Sequence, residues 1–434
     1  MLKKLGLLIG CAAILGIAWL AVINSATDSQ KQAALVKAAD DYLSDKVYVR
    51  AVPLLETAAG YKTGDVEDIE SKLKSAYLGL GEKKKYTDLL DKQMSAPGAT
   101  PEVFFEAARY YLDSGKIEDA LTVLRSGVIK TSDAGLTELY EAERYAYKTG
   151  RASFDEISAV SGGYVQVKLD GKWGIASASG VQLLPCVYDR ISTFSDGKAI
   201  VSQNGEVFAV DSKGRRLALL KDETVNIENF GNLANDRFSL KRGGKYVRSS
   251  SEFSVGSVEF EEIGMYSNGY AAAKTNGKWG LVDIGTEFLL PAEYDDVIRD
   301  TLGRAYFRGA VFARKGSDVY LFTTDSEGAL VQSPITYEDA KPFIDGLAAV
   351  KQNGKWGFID IDGSIKIDCE YDDALSFSGH LAAVKSGELW GYITLGGKIV
   401  IEPQFTEAGS FYKGSAFVQS IDKGRQLISL IEKQ

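Results

Sequence analysis

The sequence predicts a multidomain α plus β protein: an N-terminal transmembrane helix, a helical repeat segment, then an all-β repeat domain, propeller-like with about eight units. Three observations predict this. Residues Leu5 to Ile23 carry no charged side chain. Apolar residues between Gln30 and about Arg151 recur at helical spacing. From about Phe154 onward, a strand–turn–strand motif returns every 33 to 40 residues. The expected divisions are therefore 1–29, 30–151 and 152–434. An open β-solenoid is the alternative way to stack the β units.

The N-terminal run follows Lys3-Lys4 and is long enough to cross a bilayer at about 1.5 Å per residue. Positive residues stay on the cytoplasmic side, which places everything after Asn24 outside. An uncleaved signal anchor is the first expectation, because the apolar run exceeds a usual signal-peptide core. Cleavage near Ser25-Ala26 would give a secreted protein. Leu8-Ile9-Gly10-Cys11 resembles a bacterial lipoprotein box, but the apolar stretch lies mostly after the cysteine. Each fate puts the folded part outside the cytoplasmic membrane.

Composition narrows the chemistry. The 434 residues carry a net charge of −9 and are 45% apolar, enough for real cores. An acidic balance argues against nucleic acid as a partner. The single histidine, His380, leaves no His-rich metal site and makes Ser-His or Cys-His catalysis depend on one residue. Cys11, Cys186 and Cys369 form no disulfide framework; the last two occupy equivalent places in distant repeats.

In the helical segment, Ala108 and Tyr111 precede a Ser114-Gly115-Lys116 turn, and Ala120, Leu124 and Gly127 follow it. Small residues let paired helices approach, and large ones fill the gaps between them. Ala39, Tyr42, Ala51, Leu55 and Ala58 repeat the spacing. Ser75, Leu78, Thr87, Asp91 and Met94 keep it in part, and Ala142 and Tyr145 begin a half-copy that Gly150 ends. This pattern resembles the tetratricopeptide repeat, whose period is about 34 residues. Another helical-hairpin repeat is the alternative. The resemblance implies an α-solenoid, either a peptide-binding surface or a stem.

The clearest β unit is Gly346 to Gly363, GLAAVKQNGKWGFIDIDG. Residues 347–352 alternate with a period of two. Asn353-Gly354 then supplies the type I′ hairpin signal, and Lys355 to Asp360 return. Trp173-Gly174, Trp279-Gly280, Trp356-Gly357 and Trp390-Gly391 mark intact copies, while Val207, Tyr246, Val319 and Gln426 mark worn ones. Each unit continues through a turn glycine (Gly180, Gly214, Gly363, Gly397), a third strand and an aromatic-acidic tail such as Tyr371-Asp372-Asp373. This resembles the bacterial WG-repeat (KWG-repeat) family across the β domain. Such units cannot bury their apolar faces alone, so they must stack. Phe154 to Ser158 matches the tail Tyr188 to Ser192, whereas the last unit lacks a tail. A ring could complete the last unit with the first segment and hide its edge strands.

The repeating residues are read as structural. Trp173, Trp279, Trp356 and Trp390 are expected to plug the gaps between units, each following glycine permitting close backbone approach. The paired acids recur next to turns, which suits turn capping rather than catalysis. Asp360-Ile361-Asp362-Gly363 lacks the remaining ligands of a calcium loop. His380 stands where Gly269 and Gly346 stand in other units and reads as a surface substitution. No catalytic, cofactor or metal residue is nominated. The expected function is non-catalytic binding of a protein, peptide or cell-wall polysaccharide by a membrane-held, extracytoplasmic protein of a bacterial envelope. A glycan-active enzyme is the alternative, with Glu259, Glu261 and Glu262 as its candidate acids. A scaffold working through its helical stem is the third reading. Departures from the repeat, around Asn226–Asn235 and Asp300–Phe312, are where a site should lie.

Overall fold

The structure, a computed structural model, describes residues 27–61, 63–64, 66–152, 154–219 and 228–432. The expected membrane-spanning run and Cys11 lie outside these residues. Among the described residues, no helix is long and apolar enough to cross a membrane. The chain divides into two compact units, Met1–Glu143 and Arg144–Gln434.

The first unit is helical: α1 (Asp28–Ser44), α2 (Tyr48–Gly60), α3 (Val66–Leu80), α4 (Lys83–Ser95), α5 (Pro101–Asp113), α6 (Ile117–Thr131) and α7 (Ala134–Glu143). Thr27 opens α1 with a capping box, exchanging hydrogen bonds with Gln30. Its core contains the expected small residues Ala39, Ala51, Ala58, Ala108 and Ala120, with Leu55 and Leu124, all fully buried. A Cβ at Gly127 would stand 2.8 Å from the Phe104 ring, so this glycine sets how closely α5 and α6 pack.

The second hairpin differs from the expected register. Its buried residues are Ala76, Tyr77, Tyr86, Leu90 and Met94, while Leu78 is exposed. Two residues join α3 to α4, where three join α1 to α2 and α5 to α6. The shorter turn rotates α4, so Tyr86 and Leu90 take the places expected for Thr87 and Asp91. The unit also ends at Glu143, short of the expected boundary at Arg151. Tyr145 lies in a β-domain core cluster instead of on a helix, and Gly150 sits within a strand.

The second unit is built of antiparallel four-stranded blades. Blade 1 comprises Glu156–Ile157, Tyr164–Leu169, Lys172–Ser177 and Gln182–Tyr188, from inner to outer strand. Blades 2 to 7 repeat this order over residues 190–219, 229–260, 262–294, 296–337, 339–371 and 373–405. The strand Ile399–Ala408 is continuous: its first part is the outer strand of blade 7, and its last part pairs with Ser415–Ser420 as the inner strand of blade 8. Eight blades result among the described residues, matching the eight sequence units.

Blade 8 lacks a fourth strand of its own, and Tyr147–Arg151 supplies it. This segment pairs antiparallel with Gly424–Leu430, from Tyr147 opposite Leu430 to Arg151 opposite Gln426. The expectation that Phe154–Ser158 would complete the last unit is corrected by a few residues. Tyr147–Arg151 completes blade 8, and Glu156–Ile157 opens blade 1 against Lys168 and Val167. The chain thus passes from outer strand to next inner strand here as at every other blade junction. Blades 8 and 1 also touch directly. Arg425 donates to the Asp155 carbonyl, and Phe417 packs on Val165, Val167 and Ala176. The sheets therefore form a closed propeller ring and not an open solenoid, with each blade packed on the next.

Candidate functional site

The motif residues come first. Trp279 is buried between blades 4 and 5 among Leu281, Leu290, Val297 and Val311. Trp356 is buried between blades 6 and 7 among Phe358, Ile367, Phe377 and Val384. Trp173 and Trp390 take the same place at the junctions of blades 1–2 and 7–8 but stay half-buried. Cations lie over two of the buried rings: Arg299 at 3.8 Å from Trp279, and Lys341 at 4.7 Å from Trp356.

Each Trp is followed by a glycine that faces the outer strand at a bulge. A Cβ would stand 2.6 Å from the Leu184 carbonyl oxygen at Gly174, 2.4 Å from that of Leu290 at Gly280, and 2.5 Å from Ile367 and Ile401 at Gly357 and Gly391. The colliding atoms are backbone, so they cannot swing aside. Gly357→Ala is expected to cost about 1–3 kcal/mol as an overpacking change. Its urea midpoint should drop accordingly, and an unchanged midpoint would refute the close-approach reading.

The recurring acids are clamps. Asp189 accepts from the Asn204 backbone N–H and pairs with Lys172 of the preceding blade at 2.5 Å. Asp295 joins Gly316 N–H and Lys278; Asp372 joins Gly387 N–H and Lys355. Asp155, Glu228, Glu261 and Glu338 accept from the equivalent turn amides, while blade 8 has Thr406 in this place. The lysine hydrogen bond, seconded by the turn N–H, holds the Asp189, Asp295 and Asp372 carboxyls below their usual range. Depressed carboxyl pKa values stabilise the fold above the unfolded value, about 3.9, and that contribution is lost as pH falls through the folded values. Stability should therefore decline below about pH 4. A triple Asp→Asn variant should show a flatter acid limb in urea melts between pH 5 and 2; an equally steep limb would refute this.

Glu259, Glu261 and Glu262 do not converge. Glu259 is exposed on the outer strand of blade 3, Glu261 caps the Gly277 turn, and Glu262 pairs with Lys274 at 3.2 Å. Asp360 and Asp362 both accept from Ser364 N–H, and Asp360 pairs with Lys366. Among the described residues no three His, Cys, Asp or Glu side chains are grouped to hold a metal. His380 is exposed, and its backbone N–H donates to Asp345. Cys186 and Cys369 are free thiols, each directed at a carbonyl of its own blade.

Non-repeating residues meet at the axis of the ring. Blade 5 carries an extra loop, Asp300 to Arg304, between its inner strand and the next. Asp300 organises it: one carboxylate oxygen accepts from the N–H groups of Leu302 and Arg304, and the other accepts from Arg304 Nε at 2.6 Å. Asp211 and Arg215 build the same turn on the outside of blade 2, so the axial loop is a rigid surface turn placed at the centre. Asn232 of blade 3 donates to the Leu302 carbonyl and accepts from Thr193 N–H and Gln166 Nε2, joining blades 1, 2, 3 and 5. Leu302 packs on Ala159, Ala234 and Met265. Gly303 O accepts from Met265 N–H, and a Cβ on Gly264 would stand 2.5 Å from that oxygen. This loop fills one side of the axis.

The other side holds a cavity of about 420 Å³ bounded by blades 1, 5, 6, 7 and 8. Arg299, Arg304, Lys341 and Arg425 line it, with side chains between 21% and 28% exposed, together with Asp300 and Glu407. Val160, Ile344, Leu375 and Phe417 form apolar wall. Most of these residues carried no sequence signal of their own. Their mark was departure from the repeat, which is how Asp300 and Asn232 stood out.

Comparison with known proteins agrees on the repeat. The family described as WG containing repeat matches residues 152–173, 173–206, 257–279, 333–356, 356–390 and 390–423. The C-terminal region thus carries six recognisable WG repeats. The unmatched stretches between them include Asn232 and the Asp300–Arg304 loop. No curated protein matches the chain. Similar solved structures include the Dos1 propeller (11% identity, 65% of this chain and 94% of that one, TM-score 0.40). Kluyveromyces lactis Hsv2p follows at 10% identity, 65% and 98% coverage and TM-score 0.38. The Myceliophteria thermophila Cps50 (Swd1) β-propeller domain gives 10% identity, 66% and 98% coverage and TM-score 0.35. At these scores, blade number and closure rest on the strand pairing of this chain alone.

Proposed function

We propose that the protein is a non-catalytic binding or scaffold protein that presents its WG-repeat ring on a tetratricopeptide-like helical stem. The observation that carries this reading is a division of labour within the ring. The repeated tryptophans, glycines and acids are consumed in holding blades together, while the non-repeating residues of blades 3 and 5 gather at the axis beside a ligand-sized cavity. The ligand is a protein, peptide or cell-wall polysaccharide. The proposed location is the outer side of the cytoplasmic membrane, held by Leu5–Ile23, and the charge-free run after Lys3-Lys4 supports it. Cross-linking and affinity capture with the full chain, beside a peptidoglycan and glycan array, tests the reading. Capture that requires the axial residues supports it; capture or turnover indifferent to them counts against it.

A second reading makes the stem the working surface. A groove in the helical unit is lined by Leu78, Tyr86, Phe105, Arg109 and Tyr110. Exposed Leu78 and the close Tyr86–Tyr110 ring pair favour it. It requires that partner capture survive in variants with a disabled ring axis.

A further inference from the structure

We infer that the axial cavity receives the carboxyl terminus of a peptide, with the Arg304 guanidinium taking the carboxylate. This rests on the ring being a binding domain and adds the chemistry of its ligand. The first support is the gathering of cations. In a chain of net −9, four cationic side chains line the cavity, each already paired with one carboxylate: Arg299 with Asp296, Arg304 with Asp300, Lys341 with Asp373 and Arg425 with Glu407.

The second support is the supply of free donors. Lys341 is committed to Asp373 and the Ala374 carbonyl. Arg425 is committed to the Asp155 carbonyl and Glu407. Arg299 donates to Asp296 and stacks on Trp279. Arg304 differs. Its Nε is engaged by Asp300 and its guanidinium lies 5.5 Å from the centre of the Phe307 ring, while its two Nη groups donate hydrogen bonds to none of the described residues. A guanidinium fixed at Nε on a residue that lines the cavity, with its Nη groups unpaired among the described residues, is a preorganised fork for a planar carboxylate. The loop that fixes it is itself tied to blades 1, 3 and 4 through Asn232, Leu302 and Gly303, so the fork is held from several sides.

The third support is the remaining wall. Val160, Ile344, Leu375 and Phe417 offer no hydrogen bonds from their side chains, which suits the side chain of a terminal apolar residue. A volume of about 420 Å³ suits one or two residues, not a long chain segment.

The test uses the full-length protein and three probes in calorimetry: acetyl-Ala-Ala-Val with a free carboxylate, the same peptide as its amide, and inorganic phosphate. The free acid should bind at least tenfold more tightly than the amide, and phosphate should not compete. Arg304→Gln should abolish the difference between acid and amide. Because Arg304 also braces its loop, Ser410→Trp provides a second variant: it fills the cavity and leaves Arg304 in place, and it should block the free acid as well. Unchanged ligand-free melting of Ser410→Trp shows that the ring is intact. Equal binding of acid and amide, tighter binding of phosphate, no binding of either peptide, or retained discrimination in Arg304→Gln would overturn the proposal. Partner capture by the ring that survives in Arg304→Gln would remove only the carboxylate assignment. Loss of all capture by the wild-type ring would remove the broader reading.

Discussion

Substituting proline for both Lys148 and Gly150 is expected to open the ring. The ladder that closes blade 8 includes the bonds from Ala152 N–H to Arg425 O and from Ile431 N–H to Ala146 O. The register places Lys148 opposite Ser429 and Gly150 opposite Leu427, in the same phase as those bonds. Both N–H groups therefore point at the last strand, and proline removes both donors. Direct loss of two hydrogen bonds costs about 1–3 kcal/mol. Opening the seam also exposes part of the cluster around Tyr145, Ile428 and Leu430. At about 1.5–3 kcal/mol per buried side chain, the total falls at roughly 3–6 kcal/mol. Thr149→Pro is the control. Its N–H points away from the ladder, and prolines are tolerated at such edge positions. Urea melts should separate the two variants by several kcal/mol; equal midpoints would show that Tyr147–Arg151 does not hold the ring closed.

The second large effect is at the blade interfaces. Trp356 is 6% exposed and surrounded by residues of two blades. Trp356→Ala should cost about 3–5 kcal/mol, as for other buried aromatics. Trp173 and Trp390, at equivalent but more open junctions, should cost less. A Trp356→Ala protein that melts like wild type but has lost a ligand would mean that the ring is a binding platform and not a plug.

Much of this architecture was legible because the repeat spells out its own hydrogen-bonding and packing. Asn353-Gly354 announced a hairpin, and both residues adopt the positive φ that a type I′ turn needs. The glycine after each tryptophan announced close approach. What the sequence hid is informative too. Tyr147–Arg151 carries neither WG nor an apolar alternation, because an outermost strand contributes few buried side chains and pairs through its backbone. It therefore read as the end of the helical segment. The second helical hairpin slipped for a similar reason, since one missing turn residue moves every buried position on α4. The axial cavity was visible only by subtraction. Its residues come from loops of different blades, and no local spacing links Arg304 to Arg425 or Val160.

The closing strand also sets the order in which the domain can be completed. Residues paired across the seam are on the order of 280 positions apart, far beyond the hairpin separations inside each blade. During synthesis, Tyr147–Arg151 emerges early and waits for the last blade before its backbone groups are satisfied. Until then blade 8 has no fourth strand, and both sides of the seam present edges to other chains. The finished ring gains cooperativity from this arrangement, because no blade is terminal once the seam is joined. The half-made chain bears the cost, because its first β-strand is the last to find its partner.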